Sequence, residues 1–447
     1  MKLFNFRSMT YTRMIAMSFI GLILIGSLLL SLPVSSAEGN ATPYVDALFT
    51  ASSAVCVTGL VVYDTFAHWS LFGKLVILAL IQIGGLGFMM TISTFVIFTR
   101  KRISLRERKI LMESSGTMRL DGVIALVKRI ILGTFLVELL GAICLAIRFC
   151  PQMGLGTGLF YSVFHSISAF CNAGFDIMGS FGEFSSMTRY SADVLVNVVL
   201  MLLIVVGGIG FIVWEDILQN KHHLRKYSLH SKIVLTTTAI LLAGGMLMFF
   251  LFEYNASMAG MNMSERLLCS AFQSVSPRTA GMNTIDLTAL SNGGLILTLI
   301  LMFIGGSPGS TAGGIKTTTF AVLIIGALTV SRNDNTAEAF KKRIDDNTVR
   351  RACAVFVLYI LAFLIAVMVL GTIEPFSLKE IVFEVVSALG TVGLSLGITP
   401  QLGTAAKIII VFLMFMGRVG GLSLMLVLSE KKKPARLERP VGKLLIG

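Results

Sequence analysis

Residues 304–319, IGGSPGSTAGGIKTTT, contain the glycines, lysine and threonines of a loop that binds phosphate through its backbone N–H groups. In a nucleotide-binding P-loop, the lysine directly follows the last glycine of the motif, and the motif follows a β-strand. Here Ile315 separates Gly314 from Lys316, and the apolar runs GGLILTLILMF and FAVLIIGALTV lie on either side. Because a cytosolic phosphate loop does not lie between runs that together are long enough to cross a bilayer, the pattern disfavours nucleotide binding.

Four other segments end a short, serine-containing apolar stretch with a small or polar tripeptide whose last residue is glycine. These glycines are 115, 107 and 112 residues apart, which indicates a fourfold internal repeat. Carbonyls that follow a short pore helix can replace the hydration shell of a cation, and glycine lets four backbones approach closely. Because no tripeptide contains a carboxylate, a monovalent cation fits better than a divalent one. The predicted ion-binding residues are Val57, Thr58, Gly59, Asn172, Ala173, Gly174, Thr279, Ala280, Gly281, Thr391, Val392 and Gly393.

The composition is that of a polytopic membrane protein, with 55% hydrophobic residues, 14% charged residues and a mean hydropathy of +0.84. A net charge of +13 would suggest nucleic acid as the partner of a soluble protein, but here the basic residues form short runs between apolar segments. The six cysteines are scattered without a CxxC pair, and no histidine lies at ligand spacing. The sequence therefore predicts no nucleic-acid partner and no metal or disulfide framework, and no catalytic constellation indicates an enzyme.

Eight apolar segments are each long enough to cross a hydrocarbon core of about 30 Å as a helix. The first is long for the apolar region of a signal peptide, so we expect it to be a retained helix. Four half-polar stretches, too short to cross, lie between the two segments of each successive pair. The eight segments are 14–33, 71–99, 122–148, 191–218, 231–252, 291–330, 350–372 and 402–429.

Lysine and arginine predict the orientation in the membrane. Nearly all of them lie in the N-terminus, in the loops at 100–129, 219–232 and 331–351, and in the tail at 431–443. Positive residues favour the cytoplasmic side, so both termini are predicted to be cytoplasmic in a plasma-membrane protein and the half-polar stretches to face outward.

A second repeated motif lies in the second apolar segment of each unit, as IGGLG, VGGIG, IGGSPG and MGRVGG. Arg418 takes the position that glycine holds in the other three copies. Because non-helical backbone cannot face lipid, the four loops must surround one watery axis. We therefore predict an all-α polytopic membrane protein with eight transmembrane helices, arranged as four helix–pore loop–helix repeats around one central pore. The repeats are 14–99, 122–218, 231–330 with a broken second helix, and 350–429, followed by a cytoplasmic tail at 431–447.

These features resemble the Trk/Ktr/HKT superfamily of K⁺ transporters, in which one chain carries four non-identical pore units. The likeness extends over residues 14–430 and is greatest to the Ktr membrane subunit, which has eight helices and no additional N-terminal pair. The resemblance implies that the four repeat glycines are filter glycines with a preference for K⁺. It also implies K⁺ uptake through a gated pore without a cofactor in this chain, with Na⁺ dependence left open.

The resemblance implies partners as well: a homodimer that binds a ring of cytosolic, nucleotide-binding, KtrA-like regulatory proteins, with the nucleotide on the partner. The basic loops 100–109 and 219–226 and the tail 431–439 are candidate docking surfaces, and anionic membrane lipids are the alternative ligands for them. A secondary carrier for a small organic solute is the alternative function, since broken helices also bind substrates at the membrane midplane. Such carriers more often consist of two inverted halves.

In the superfamily, the second helix of the third unit is broken by an intramembrane loop that closes the cavity below the filter, and residues 305–319 match it. The alternative is a patch of small residues for tight helix packing. The resemblance also places Arg418 at this cavity, where its positive charge would resist the passage of cations. The alternative for Arg418 is a salt bridge to Glu138 or Glu384. Lys316 either contacts the loop or extends toward the cytoplasm. The predicted gate residues are Gly305, Gly306, Ser307, Pro308, Gly309, Ser310, Thr311, Gly313, Gly314, Lys316 and Arg418.

Overall fold

A computed structural model describes residues 11–87 and 123–420, and the regular structure of these residues is helical apart from one small hairpin. The basic loop 100–109, the last residues of the first predicted repeat and the tail 431–447 lie outside the described residues. The described helices are α1 Tyr11–Leu30, α2 Tyr44–Val55, α3 Thr65–His68, α4 Leu71–Leu86, α5 Val123–Met153, α6 Leu155–Phe170, α7 Val194–Gly208, α8 Phe211–Asn220, α9 Leu229–Glu253, α10 Met263–Val275, α11 Asn292–Phe303, α12 Thr317–Ser331, α13 Asp346–Ile373, α14 Leu378–Gly390 and α15 Thr404–Val419.

Four of the described helices, α1, α5, α9 and α13, are long and apolar enough to cross a membrane. The pair α7 and α8 passes the same test together but is bent by 96° at its break, so the described residues contain up to five such spans. Each long helix is the first of a predicted repeat. A short helix that ends just before a tripeptide follows each of them, namely α2, α6, α10 and α14.

Within the described residues, the helices that begin the second apolar segments of the repeats are short. Helices α4, α7, α11 and α15 have 16, 15, 12 and 16 residues, which corresponds to about 18–24 Å of helix. The expectation of one uninterrupted helix over 191–218 is wrong, because α7 ends at Gly208 and the chain turns sharply into α8. The predicted interruption of 291–330 is present, with no helix between Phe303 and Thr317.

In three repeats a glycine with positive φ lies at the equivalent position of the repeated motif, one or two residues after the end of the second helix. Gly87, Gly210 and Gly420 have φ of +87°, +94° and +91°, a left-handed conformation that glycine adopts without steric cost. In the third repeat Pro308 occupies the equivalent position, and its ring cannot continue a helix. The second helices of the first, second and fourth repeats therefore end within the repeated motif, whereas α11 of the third repeat already ends at Phe303, just before it.

A small hairpin connects the third and fourth repeats. Its strands, β1 Glu338–Ala339 and β2 Lys342–Arg343, pair antiparallel between α12 and α13. The two turn residues, Phe340 and Lys341, both have positive φ, +52° and +62°. A two-residue turn of this handedness matches the twist of paired strands but is strained for residues other than glycine, asparagine or aspartate.

An ion pair joins the first and fourth repeats. Lys407 Nζ of α15 lies 2.7 Å from Asp46 Oδ1 of α2, and the two side chains are only 12% and 11% exposed. The other carboxylate oxygen of Asp46 accepts a hydrogen bond from the Tyr63 hydroxyl at 2.8 Å. Both oxygens of the carboxylate are thus satisfied, which offsets its removal from water.

We predict that Lys407→Met lowers the free energy of unfolding by about 3 kcal/mol, because it leaves the Asp46 carboxylate without its cation in a water-poor position. The double variant Asp46→Asn with Lys407→Met is expected to recover part of this loss. Thermal unfolding of the purified chain measures both effects, with Lys379→Met at an exposed position as the control. A Lys407→Met protein as stable as the control would contradict a stabilising pair.

Candidate functional site

The structure brings the four repeat glycines together in a closed ring. A Cβ atom placed on Gly59 would lie 2.7 Å from the Cα of Gly174, and one on Gly174 would lie 3.2 Å from the Cα of Gly281. A Cβ on Gly281 would lie 3.2 Å from the Cα of Gly393, and one on Gly393 would lie 2.9 Å from the Cα of Gly59. The order around the ring follows the chain, and no larger residue fits at any of the four positions without a shift of the neighbouring backbone.

The backbone of the tripeptides is unusual as well. The first residues, Val57, Asn172, Thr279 and Thr391, have φ of +51°, +56°, +72° and +52°. The closing glycines also have positive φ, between +71° and +93°, whereas the middle residues do not. Alternation of left- and right-handed residues turns successive peptide groups so that like dipoles can face one side. Positive φ at valine and threonine is costly and is typical of functional sites.

Serine side chains at the ends of the short helices hold the tripeptides in place. Ser53 and Ser387 accept the N–H groups of Gly59 and Gly393 on their hydroxyls at 3.0 and 3.1 Å. In the second and third repeats the serine hydroxyl instead donates to the carbonyl that follows the glycine, from Ser168 to Phe175 at 2.6 Å and from Ser276 to Met282.

The same four serines also accept hydrogen bonds on their backbone carbonyls. The donors are the N–H groups of the middle tripeptide residues Thr58, Ala173, Ala280 and Val392, at 2.8–2.9 Å. The sequence shows a serine five or six residues before each glycine, but sequence reasoning assigned it no role. Its recurrence at this offset was the signal that could have identified it.

The second repeated motif packs against the ends of the short helices. A Cβ on Gly84 would lie 2.8 Å from the Cα of Val55 at the end of α2, and one on Gly207 would lie 3.0 Å from Asn172 Oδ1. A Cβ on Gly417 would lie 2.7 Å from the Cγ2 of Thr391. These glycines let α4, α7 and α15 approach the tripeptides closely, which explains why the motif recurs.

Residues 304–316 form a compact loop between α11 and α12. Gly305 N–H donates to the Ile315 carbonyl at 2.8 Å and Thr317 N–H donates to the Gly306 carbonyl at 3.1 Å, so the two ends of the loop are joined. The hydroxyls of Ser307 and Thr317 lie 3.0 Å apart. The region is therefore not a continuous helix with a small-residue packing face.

The loop contacts the backbones of two other repeats near their tripeptides. Thr311 Oγ1 donates to the Phe170 carbonyl and lies 3.1 Å from Asn172 Oδ1. On the other side, a Cβ on Gly314 would lie 2.9 Å from the Gly390 carbonyl oxygen, so the loop also packs against the end of α14. The loop thus lies directly against the tripeptides of the second and fourth repeats.

Lys316 folds back onto the loop instead of extending away from it. Its Nζ donates to the carbonyls of Ala312 at 2.7 Å and Gly313 at 3.2 Å. Of the two alternatives for this residue, the structure therefore has the contact with the loop.

Arg418 joins three repeats through backbone carbonyls. From α15, its guanidinium donates to Thr311 O in the loop and to the carbonyls of Gly84 and Gly85, at 2.5 and 2.9 Å. The last two belong to the C-terminal turn of α4, where helix carbonyls carry partial negative charge.

The salt bridge proposed as the alternative for Arg418 is not formed. Glu138 accepts hydrogen bonds from the Gln82 amide at 3.0 and 3.2 Å. Glu384 accepts hydrogen bonds from the hydroxyls of Ser395 and Thr399 at 2.7 and 2.5 Å. Both carboxylates are therefore satisfied by neutral side chains.

A cavity of about 440 Å³ lies against the glycine ring and is lined by all four glycines, together with Asp176 and Asp286. Burial raises the pKa of Asp176 to about 6, although the N–H of Met178 donates to its Oδ1 at 3.0 Å and opposes that shift. Asp64 instead accepts backbone N–H groups of Phe66 and Phe184, so it has a structural role in the loop. Asp176 is thus a carboxylate at the opening of the ring.

The chain matches known proteins over nearly its whole length. Residues 2–437 match the TrkH family, described as "Cation transport protein". The chain is 41% identical over 442 residues to the "Potassium/sodium uptake protein NtpJ" of Enterococcus hirae, covering 97% of each sequence. It is 40% identical to the "Ktr system potassium uptake protein B" of Bacillus subtilis, over 98% of this chain and 97% of that one. The crystal structure of the potassium transporter TrkH from Vibrio parahaemolyticus superposes with a TM-score of 0.69 at 20% identity, covering 93% of this chain and 85% of the other.

We predict that Gly417→Ala lowers the free energy of unfolding by about 2 kcal/mol, because the added methyl would overlap Thr391 and the end of α14. Gly371→Ala, in the long helix α13, is the matched control, since no atom lies within 4 Å of its new methyl. The control is expected to be as stable as the original chain or slightly more stable. Thermal unfolding in detergent compares the two, and equal stability would contradict close packing at Gly417.

Proposed function

Since the chain belongs to the TrkH family of cation transport proteins, we propose that it takes up K⁺ across the plasma membrane through a gated, K⁺-selective pore. The family consists of transporters, and the chain is accordingly not an enzyme. Relatives named as potassium uptake proteins, each aligned over nearly their full length, support K⁺ as the ion.

The closed ring of Gly59, Gly174, Gly281 and Gly393 is the observation that carries this proposal. In this proposal, the carbonyls of the twelve tripeptide residues replace the hydration shell of K⁺ as the ion passes along the axis of the ring. Neutral carbonyl ligands suit a monovalent ion, since a divalent one is usually held by carboxylates. The serine hydroxyls keep the carbonyls oriented while ions enter and leave.

Eight transmembrane helices, arranged as four helix–pore loop–helix repeats, form the pore in this proposal. The repeats are 14–99, 122–218, 231–330 and 350–429, and both termini lie in the cytoplasm. Four long helices, each followed by a short helix and a tripeptide, support this arrangement.

The loop 305–316 and Arg418 form the gate. The loop is held closed by the backbone hydrogen bonds between its two ends and by contacts with two other repeats. The Arg418 guanidinium places positive charge beside the loop. A cation that leaves the ring meets this charge, so passage requires the loop and Arg418 to move. Among the described residues, the guanidinium is hydrogen-bonded to backbone carbonyls, which can release it without leaving a buried carboxylate unpaired.

The chain acts as a homodimer with a cytosolic, nucleotide-binding regulatory ring of the KtrA type. The word "system" in the names of the Ktr relatives supports a partner subunit. The relative from Enterococcus hirae is named for both potassium and sodium, which supports Na⁺ as the coupling ion. Lys221, Arg225 and Lys226 are exposed in the loop 219–226 and are the described part of the docking surface. No observation favours a carrier for an organic solute, and we do not propose one.

We predict that Gly281→Ser lowers K⁺ uptake at least about tenfold or admits Na⁺, because its side chain would enter the ring beside Gly174 and Gly393. Gly39→Ser is the matched control, since Gly39 has the same φ of +74° but no atom within 4 Å of an added Cβ. Uptake of Rb⁺ and Na⁺ into K⁺-starved cells measures both fluxes. An unchanged ratio of K⁺ to Na⁺ flux in the Gly281 variant would remove the ring from the selectivity mechanism.

Arg418→Gln is expected to raise K⁺ flux severalfold in liposomes, because it removes a positive charge and the hydrogen bonds that hold the loop to α4. The control is Arg332→Gln, at an exposed position after α12. Flux equal to that of the control would argue against a gating role for Arg418.

We also expect K⁺ uptake to fall when the outer solution is acidified through about pH 6. The raised pKa of Asp176 means that its carboxyl is charged above that pH and neutral below it, and only the charged form attracts cations to the opening. In Asp176→Asn the uptake should be lower and lose this dependence, whereas Glu38→Gln in an exposed loop should retain it. Identical pH profiles for all three proteins would be inconsistent with the role given to Asp176.

A further inference from the structure

A second cavity, of about 400 Å³, lies between the first turns of α9, α12 and α13, apart from the glycine ring and from Arg418. Its lining has two chemical characters. One part is apolar and includes Ile233, Val322 and Val355. The other part is formed by polar and basic side chains, namely His230, Thr318, Thr319, Thr348, Arg343 and Arg351.

Several donors in the polar part have no partner among the described residues. The His230 Nε2 atom is buried and makes no hydrogen bond. The guanidinium of Arg351 and the hydroxyls of Thr318 and Thr319 likewise have no partner in the described part of the chain. His230, Thr318 and Thr319 are half-buried and Arg351 is exposed at the rim, so an acceptor that enters the cavity can bind all four side chains.

Two of the bordering helices begin without a side-chain cap. The N-cap residues Lys316 of α12 and Asp345 of α13 make no capping hydrogen bond. The first N–H groups of these helices carry partial positive charge, which adds to the charge of Arg351. The cavity therefore combines three features that favour an anion: a guanidinium, free hydroxyl donors and the starts of two uncapped helices.

The acidic residues near the cavity do not cancel this preference. Asp216, which is close enough to act on His230, already accepts hydrogen bonds from Asn220 and Ser228. Asp345 is the carboxylate among the lining residues, and it lies exposed at the rim. Asp346 is paired with Arg343 at 3.1 Å, on the outside. Arg351 remains the unpaired cation that borders the apolar part.

The adjoining hairpin indicates where the anion comes from. Its strained turn presents Phe340, which is 50% exposed, next to the exposed residues Lys341 and Lys342. An aromatic side chain flanked by lysines is typical of a segment that lies at the interface between lipid headgroups and water. Arg343 at the end of this hairpin lines the cavity itself.

We propose that this cavity binds the phosphate group of a membrane phospholipid, with Arg351, Thr318, Thr319 and His230 as its hydrogen-bond donors. The acyl chains follow the apolar side, past Ile233, Val322 and Val355. A freely dissolved phosphate would use the same donors but would leave the apolar half of the cavity unfilled, so the lipid is the source that uses the whole site.

Occupancy of the site acts on the start of α12. This helix begins at Thr317, whose N–H and hydroxyl bond to Gly306 and Ser307 of the loop 305–316. A headgroup bound at Thr318 and Thr319 fixes that turn and with it one end of the loop. This effect on the loop rests on the proposed transport function, whereas binding of the phosphate does not.

The test is to count lipids bound to the purified, delipidated chain by native mass spectrometry, with phosphatidylglycerol, phosphatidylcholine and inorganic phosphate as separate probes. We expect Arg351→Gln to weaken phosphatidylglycerol binding about tenfold, since a charge-assisted hydrogen bond contributes that much or more. Arg350→Gln removes the same charge from the neighbouring position, which does not line the cavity, and should bind as the original chain does. Thr319→Val is a second variant that keeps the charge and is expected to weaken binding to a smaller extent.

Equal binding of phosphatidylglycerol by the Arg351→Gln and Arg350→Gln proteins would overturn the site. Binding by the Thr319→Val protein that is as strong as that of the original chain would also overturn it. Binding of inorganic phosphate that Arg351→Gln abolishes would support the donor set and make a dissolved phosphate its ligand. Because the readout is binding, failure of the K⁺ uptake proposal leaves this result intact and can be distinguished from it.

Discussion

The structure depends on four short stretches of backbone that are not helical, in a protein whose remaining elements are almost all apolar helices. In a membrane each unsatisfied carbonyl or N–H group costs several kcal/mol, so such stretches persist only where protein, water or an ion satisfies them. Here serine side chains bind the N–H groups or carbonyls next to the glycines, and the four glycines meet around one axis. In the proposed function, the remaining carbonyls of the tripeptides bind a partly dehydrated monovalent cation.

Close packing of small residues follows from this constraint. For the ring to form, the short helices must end at one level, and the second helices must support them there. Gly84, Gly207 and Gly417 permit that contact, because a methyl group at each would overlap the ends of the short helices. Where the second helices end, the third repeat continues as a loop that lies against the tripeptides, and Arg418 bonds it to α4. The proposed selectivity element, which is the glycine ring, and the proposed gate, which is the loop with Arg418, are thus in direct contact, so no long-range coupling is needed between them.

Much of this arrangement could be predicted from the sequence, because the repeat is visible in residue types. The glycine spacing identified the residues that the structure brings into the ring, and Pro308 with its neighbouring glycines marked the interrupted helix. Membership of the transporter family is confirmed by the comparisons. The positive φ of Val57, Thr279 and Thr391 could not be predicted, because β-branched residues locally favour the opposite hand and only the surrounding contacts impose it. The partners of Arg418 were likewise hidden, since backbone carbonyls have no signature in a sequence. The early end of α7 at Gly208 was missed because the apolar pattern continues through it.

The central claim is that a K⁺-like ion binds on the axis of the four glycines. Crystals of the chain soaked in Tl⁺, which resembles K⁺ in size and charge and scatters anomalously, test this claim directly. The account predicts anomalous density within the ring of tripeptide carbonyls. This density should be absent from crystals in which Na⁺ replaces K⁺ and Tl⁺. Density found only elsewhere, with none between Gly59, Gly174, Gly281 and Gly393, would contradict it.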